Sequence, residues 1–236
     1  DLGLADCRHL LRMVWWSRAC TALGYAFAWI IPNPVSALLM GLGNMGRWTC
    51  VTHPVMHRGY DAVPGVPPRL TSKRFAMGWR RYLDWLDWLH PDAWAHEHNQ
   101  LHHYHTGQQQ DPDLVERNAA VIRHRAVPRP VKAALVVLLM MTWKLTYYAP
   151  NTFFALKQHR AIRAQSRAKP LPTMGEVDCF IIPGERVMLP VTAWGVEFWL
   201  RCVLPYAAVR FGLVPALFLP LGTGAWLAVL VNSVLA

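Results

Sequence analysis

The chain has 236 residues, which suits one domain or one membrane bundle. With 53% hydrophobic residues, twelve Trp and only 16% charged residues, the composition argues against an ordinary water-soluble surface. The formal charge is +10 with His neutral, but the basic residues fall in loops between apolar stretches. Lys and Arg are expected there in a membrane protein, so nucleic acid is not the implied partner. Cys7, Cys20, Cys50, Cys179 and Cys202 are widely spaced and form no C-x-x-C, which argues against a disulfide framework and a thiolate zinc site. The chain starts at Asp1 without Met, shows no signal peptide, and stops at Ala236 inside an apolar run; both ends read as cut.

The first apolar stretch, residues 13–31, ends at Pro32-Asn33-Pro34, a strong turn signal, and the second runs over residues 35–51. Each approaches the ~20 residues needed to cross ~30 Å of hydrocarbon, so residues 13–51 are predicted to form a first transmembrane helical hairpin. Residues 53–131 are polar and basic. Within them Phe75, Trp79, Tyr82, Leu86 and Leu89 recur at helical spacing, predicting an amphipathic surface helix over residues 74–89. The third stretch, residues 133–148, is short and contains Lys144. Basic segments flank it on both sides, with Lys157, Arg160, Arg163, Arg167 and Lys169 following. If it crossed, those segments would lie on opposite faces, so an interfacial or re-entrant helix is expected. Residues 187–236 have room for a second transmembrane hairpin, turning at either residues 210–212 or 220–224. The first turn leaves Glu197 and Arg201 in a span at i,i+4 spacing, and the second leaves Arg210.

Eleven histidines are present, and their placement carries the chemistry. His53-Pro-Val-Met-His57 follows directly on the second apolar stretch. His90, His96, His98, His102, His103 and His105 lie close together, with H-x-x-x-H-H at His98-Asn-Gln-Leu-His102-His103. On an α-helix i and i+4 share a face, so His53 can pair with His57 and His98 with His102, while His103 sits about 100° further round. Pro54 removes a backbone donor, predicting a kink or a fresh helix start with His53 just ahead of it. His90, before Pro91, is read as structural, and His9, His124 and His159 as isolated. His96 and His105 are candidate additional ligands. Imidazole suits zinc, copper, iron and nickel alike, so ligand type leaves the metal open. The H-E-x-x-H pattern of zinc peptidases fails, since Gln100 stands where its second His would be.

At these residues the chain resembles the membrane fatty-acid desaturase superfamily, which carries three histidine boxes: H-x(3,4)-H, H-x(2,3)-H-H and [HQ]-x(2,3)-H-H. His53–His57 matches the first and His98–His103 the second. The text from Glu97 to Thr106, followed by Asp111-Pro-Asp113, is similar to the surroundings of box two in acyl-lipid desaturases. No His follows His159, so the third box is absent; a truncated piece of a complete enzyme is expected from the abrupt apolar end, with a degenerate, inactive member as the alternative. The resemblance implies one all-α integral-membrane domain over residues 1–236, with two transmembrane hairpins and a cytosolic histidine-box cap. With residues 133–148 not crossing, both boxes share a face with whatever follows Ala236. It further implies two irons ligated by His53, His57, His98, His102 and His103, with dioxygen as co-substrate. Glu97, Asn99, Asp111 and Asp113 are candidates to hydrogen-bond the ligands' free ring nitrogens. Asp111-Pro-Asp113 reads equally as a plain turn. The implied reaction is desaturation of a fatty acyl lipid, with ferredoxin or cytochrome b5 as electron donor docking on the basic face. Three rivals stay open: a di-iron hydroxylase of lipids, alkanes or carotenoids; a non-redox membrane zinc protein; and a transporter. Histidines outside the spans argue against the transporter.

Overall fold

The computed structural model describes residues 3–114, 122, 127–164, 175–178, 186–189 and 195–236. His124, Arg167, Lys169 and Cys179 lie outside the described residues. The described chain is helical, apart from one antiparallel hairpin in which β1 (Gly175–Asp178) pairs with β2 (Arg186–Leu189), Gly175 facing Leu189. It divides into two compact units, one of Asp1–Leu86 with Leu204–Ala236, the other of Asp87–Val203.

In the first unit, α1 (Leu4–Ala28) begins with the Asp6 carboxylate accepting from the Gly3 N–H at 2.8 Å, half of a capping box. The turn falls at the expected prolines. Asn33 Oδ1 accepts from Ser36 N–H at 2.8 Å, and Pro34 occupies the first turn of α2 (Pro34–Gly46). The two helices run antiparallel, with glycines at the closest approach. A Cβ on Gly43 would lie 2.7 Å from the Ser17 carbonyl oxygen, and one on Gly24 would lie 3.0 Å from the Ser36 carbonyl oxygen. Small residues inside and Trp15, Leu23, Phe27, Leu38 and Met45 exposed outside are the inverse of a soluble helix pair.

The chain's last helix, α12 (Thr223–Leu235), docks on this pair through Asn232, which is 0% exposed. Its Nδ2 donates to the Ala28 and Ile31 carbonyls at 3.0 and 3.2 Å, and its Oδ1 accepts from Asn33 N–H at 2.9 Å. Ala28, Met40 and Val229 form the core beside it. The second turn falls at Gly222 (φ 110°), the later of the two sites expected. Arg210 therefore lies within a helix, 4% exposed, and its guanidinium donates to the Ser233 carbonyl at 3.1 and 3.3 Å.

The surface helix expected over residues 74–89 does not form. Ala76 (φ 55°) and Gly78 (φ 57°) turn the chain out of helical geometry. Only a 3₁₀ turn (Gly78–Arg80) and one α turn, α4 (Arg81–Asp84), remain. Phe75, Trp85 and Leu89 are buried, while Trp79 and Tyr82 are exposed. The apolar spacing thus reflects inward and outward positions of an irregular segment.

In the second unit, α5 (Pro91–His96) continues through a π segment (Glu97–His102) into α6 (His103–His105). Residues 133–148 are not a separate element. They belong to one helix, Arg129–Arg163, made of α7 (Arg129–Trp143), a π segment (Lys144–Tyr148) and α8 (Ala149–Arg163). Lys144 is paired with Asp87, so its charge does not interrupt the helix. A further helix, Val196–Leu221, runs through α9 (Val196–Phe198), α10 (Leu204–Ala207) and α11 (Val214–Ala216), with π segments at Trp199–Val203 and Ala208–Leu213 and a 3₁₀ end at Leu219–Leu221; from Leu204 on it belongs to the first unit. Glu197 and Arg201 form the expected i,i+4 pair at 3.2 Å. Among the described residues, helices 129–163 and 196–221 are long and apolar enough to cross a membrane, and α12 is a shorter apolar helix. The α1–α2 pair is less apolar, since Arg8, Arg12 and Arg18 lie on α1.

The π segments resolve the difficulty at Pro54. Another runs over Arg47–Thr52, between α2 and α3 (His53–Met56). Four of the five described π segments end two residues before a proline: Pro54, Pro150, Pro205 and Pro215. Proline lacks an N–H and its ring clashes with the i−4 carbonyl; a wider i→i+5 turn just ahead accommodates both. The helix thus neither breaks nor restarts at His53. The fifth π segment, Glu97–His102, is followed at the same position by Tyr104 and has no proline to explain it.

Candidate metal centre

His53 opens α3 and His57 caps it, with the His57 N–H donating to the His53 carbonyl at 3.1 Å. Both are half-buried, and their rings meet edge to face with centroids 4.6 Å apart. Arg58, at φ 64°, then ends the helix.

In the second unit the histidine register differs from the α-helical expectation. Five-residue hydrogen bonding carries His103 over His98, where an α-helix would leave it to one side. Their Nε2 atoms are 3.2 Å apart and their rings 4.6 Å, while His98 and His102 stack nearly parallel at 5.3 Å. Trp94, fully buried, stacks on the other side of His98 at 4.4 Å. All three box-two imidazoles are therefore gathered, and π turns inside α-helices are frequent at functional sites.

Asp111 is buried and ties this group to its own turn. It accepts from the His102 ring at Nδ1 (2.9 Å), from Gly107 N–H (3.0 Å) and from Asp113 N–H (2.9 Å). Burial by itself raises the Asp111 carboxyl, but the bonds from His102, Gly107 and Asp113 outweigh it and hold the group below its ordinary value. The turn and the ring contact coexist in one side chain. Tyr147, which the sequence did not single out, donates its OH to the Pro112 carbonyl at 3.4 Å and secures the same turn.

Glu97 is 1% exposed and neither carboxylate oxygen has a hydrogen bond. Burial, then the charges of Asp113 and Asp111, push it up to about 9. Asn99 is half-buried beside it in sequence. The flanking histidines have other partners: His96 Nδ1 pairs with Gln100 Oε1 at 2.9 Å and its ring lies on His159, while His105 pairs with Gln108 at 3.3 Å. His90 stands at the N-terminal cap of α5, a structural position.

A resident metal fits this donor set on three counts. Two ring nitrogens face one another at His98 and His103. His102 is held at Nδ1, which leaves Nε2 as the nitrogen a metal could take. The Glu97 carboxyl is buried without a donor, an arrangement that a nearby cation compensates.

Long apolar helices with imidazoles grouped at a helix end and in a π turn define a membrane-type helical protein with a candidate metal centre. The chain belongs to the fatty acid desaturase family, which it matches over residues 15–235, a span that includes both histidine motifs and all of α12. Comparison with curated proteins and with solved structures finds no match. The family groups membrane-associated oxidoreductases of fatty acyl substrates.

Proposed function

We propose that the protein is a dioxygen-dependent di-iron acyl desaturase that introduces a C=C bond into the acyl chain of a membrane lipid. The family match across both histidine motifs carries this reading. His53, His57, His98, His102 and His103 would hold the two irons. Bound there, the irons supply activation of dioxygen for removing two hydrogens from adjacent methylenes, chemistry beyond side-chain acids and bases. The chain's own residues fix the imidazoles: Asp111 orients His102 through Nδ1, and Trp94 sets the plane of His98. Apolar helices keep water from the acyl chain. Electrons come from ferredoxin or cytochrome b5, drawn to the basic surface.

In the same reading the α1–α2 pair and the pair 196–221 with α12 cross the membrane, and the histidines face the cytosol. The helix 129–163 that contains residues 133–148 lies along the interface, since Arg129 and Lys132 open it and Lys157, Arg160 and Arg163 lie near its end. The test is expression of the full-length gene product, beside His102→Ala, in a host of known lipid composition. Fatty acids are then profiled by gas chromatography with mass spectrometry. A double bond made only with His102 present is the expected result. A hydroxylated product would move the assignment to hydroxylase, and zinc without oxygen dependence would replace the redox reading.

A further inference from the structure

Away from the histidines, the first unit holds a cationic cleft on the α1–α2 hairpin. Arg18 on α1, Arg47 in the π segment after α2, and Asp84 on α4 line it, over an apolar floor that includes Val14, Val51 and Phe75. Arg18 and Arg47 are half-buried, and neither guanidinium makes a hydrogen bond or ion pair with another described residue. Asp84 offsets the charge on Arg47 only in part: it acts on Arg47 less strongly than Arg18 does, and its hydrogen bonds go elsewhere. Its two oxygens accept from Arg80 Nε and Nη2 at 2.9 and 2.7 Å, and one also takes the Ala76 N–H. Buried Arg210, engaged by the Ser233 carbonyl, adds a third guanidinium whose charge acts on Arg47. Half-buried guanidinium groups beside one another repel and lose hydration unless an anion lies between them.

The surroundings identify the anion. Trp15 and Trp16 are exposed beside Arg18, and Trp48 adjoins Arg47 in sequence, the aromatic arrangement found at headgroup depth. A guanidinium fork matches phosphate oxygens two at a time. We propose that this cleft binds the phosphate of an anionic membrane-lipid headgroup through Arg18 and Arg47. The site rests on the placement of the α1–α2 pair in the bilayer and needs neither metal nor turnover.

The test is thermal unfolding of the full-length protein in dodecyl maltoside micelles titrated with dioleoylphosphatidylglycerol. Dioleoylphosphatidylcholine and inorganic phosphate are run in parallel. Phosphatidylglycerol is expected to raise the midpoint at low mole fraction, well below any response to phosphatidylcholine. Arg18→Gln and Arg47→Gln are each expected to need about tenfold more of it, the size of one lost charged hydrogen bond. Should Arg47→Gln not fold, Arg18→Gln, altered at a half-exposed side chain, carries the comparison. An unchanged response in Arg18→Gln overturns the site. An equal, arginine-dependent response to inorganic phosphate overturns the lipid as its source and assigns a soluble phosphate compound.

Discussion

Replacing Asp111 by Asn tests whether the turn after box two governs the metal ligands. The carboxylate accepts three hydrogen bonds, with His102 and Asp113 on Oδ1 and Gly107 on Oδ2. An amide keeps the Oδ1 bonds but sets its NH₂ against the Gly107 N–H, donor to donor. Losing that bond in a buried site costs about 1–3 kcal/mol. The charge opposite His102 is lost as well, and removing such a partner typically lowers metal affinity about 10–100-fold. The assay is iron per protein, by mass spectrometry of the metal, across a graded chelator series. Asp111→Asn should release iron at a chelator concentration at least about tenfold lower than wild type. Asp92→Asn is the control, since its carboxylate is 44% exposed and only meets Arg160 at 3.5 Å; it should behave as wild type. If Asp111→Asn kept iron like wild type while His102→Ala lost it, Asp111 would be a turn former and nothing more.

Three further outcomes concern the scaffold. Asn232→Ala strands the Asn33 N–H and two carbonyls and should lower stability in detergent by about 2–4 kcal/mol, less if lipid-phase partners replace them. Asn232→Asp should be worse than Ala, because it sets a carboxylate against both carbonyls; the thermal midpoints of the two decide. Gly43→Ala should cost about 1–3 kcal/mol, since its Cβ meets backbone, whereas Gly41→Ala, with only Ala236 O at 3.5 Å, should unfold at the wild-type midpoint or above. Asp87→Asn and Lys144→Met should each destabilise while the double variant recovers at least about 1 kcal/mol, as a coupled half-buried pair does; additive midpoints would show that the pair is not coupled.

The turn at Asn33 was legible because Pro-Asn-Pro supplies both a cap and a first-turn residue in three letters. The histidine groups were legible because their spacing and residue type point to few other uses. Register was not. Periodicity distinguishes a helix from a strand, but not an i→i+4 from an i→i+5 bonding pattern, so His103 was placed beside His98 when it lies over it. The prolines did hold part of that information, at Pro54, Pro150, Pro205 and Pro215, but nothing comparable marks Glu97–His102. The surface helix over residues 74–89 failed for a different reason: apolar spacing survived, but Ala76 adopts positive φ, which an alanine gives no warning of. The Asn232 contacts join residues 199 or more apart in sequence, where single-chain patterns carry little.

The Asn232 amide also imposes an order on synthesis. Its partner N–H at Asn33 is made 199 residues earlier. At common elongation rates that is roughly 10–40 s during which the first helix pair exists without its clasp. Through that interval the turn's open carbonyls must find water or lipid headgroups, and whatever assists insertion meets an unlatched pair. A chain stalled before α12 would leave this pair with its turn exposed, a state that quality control can recognise.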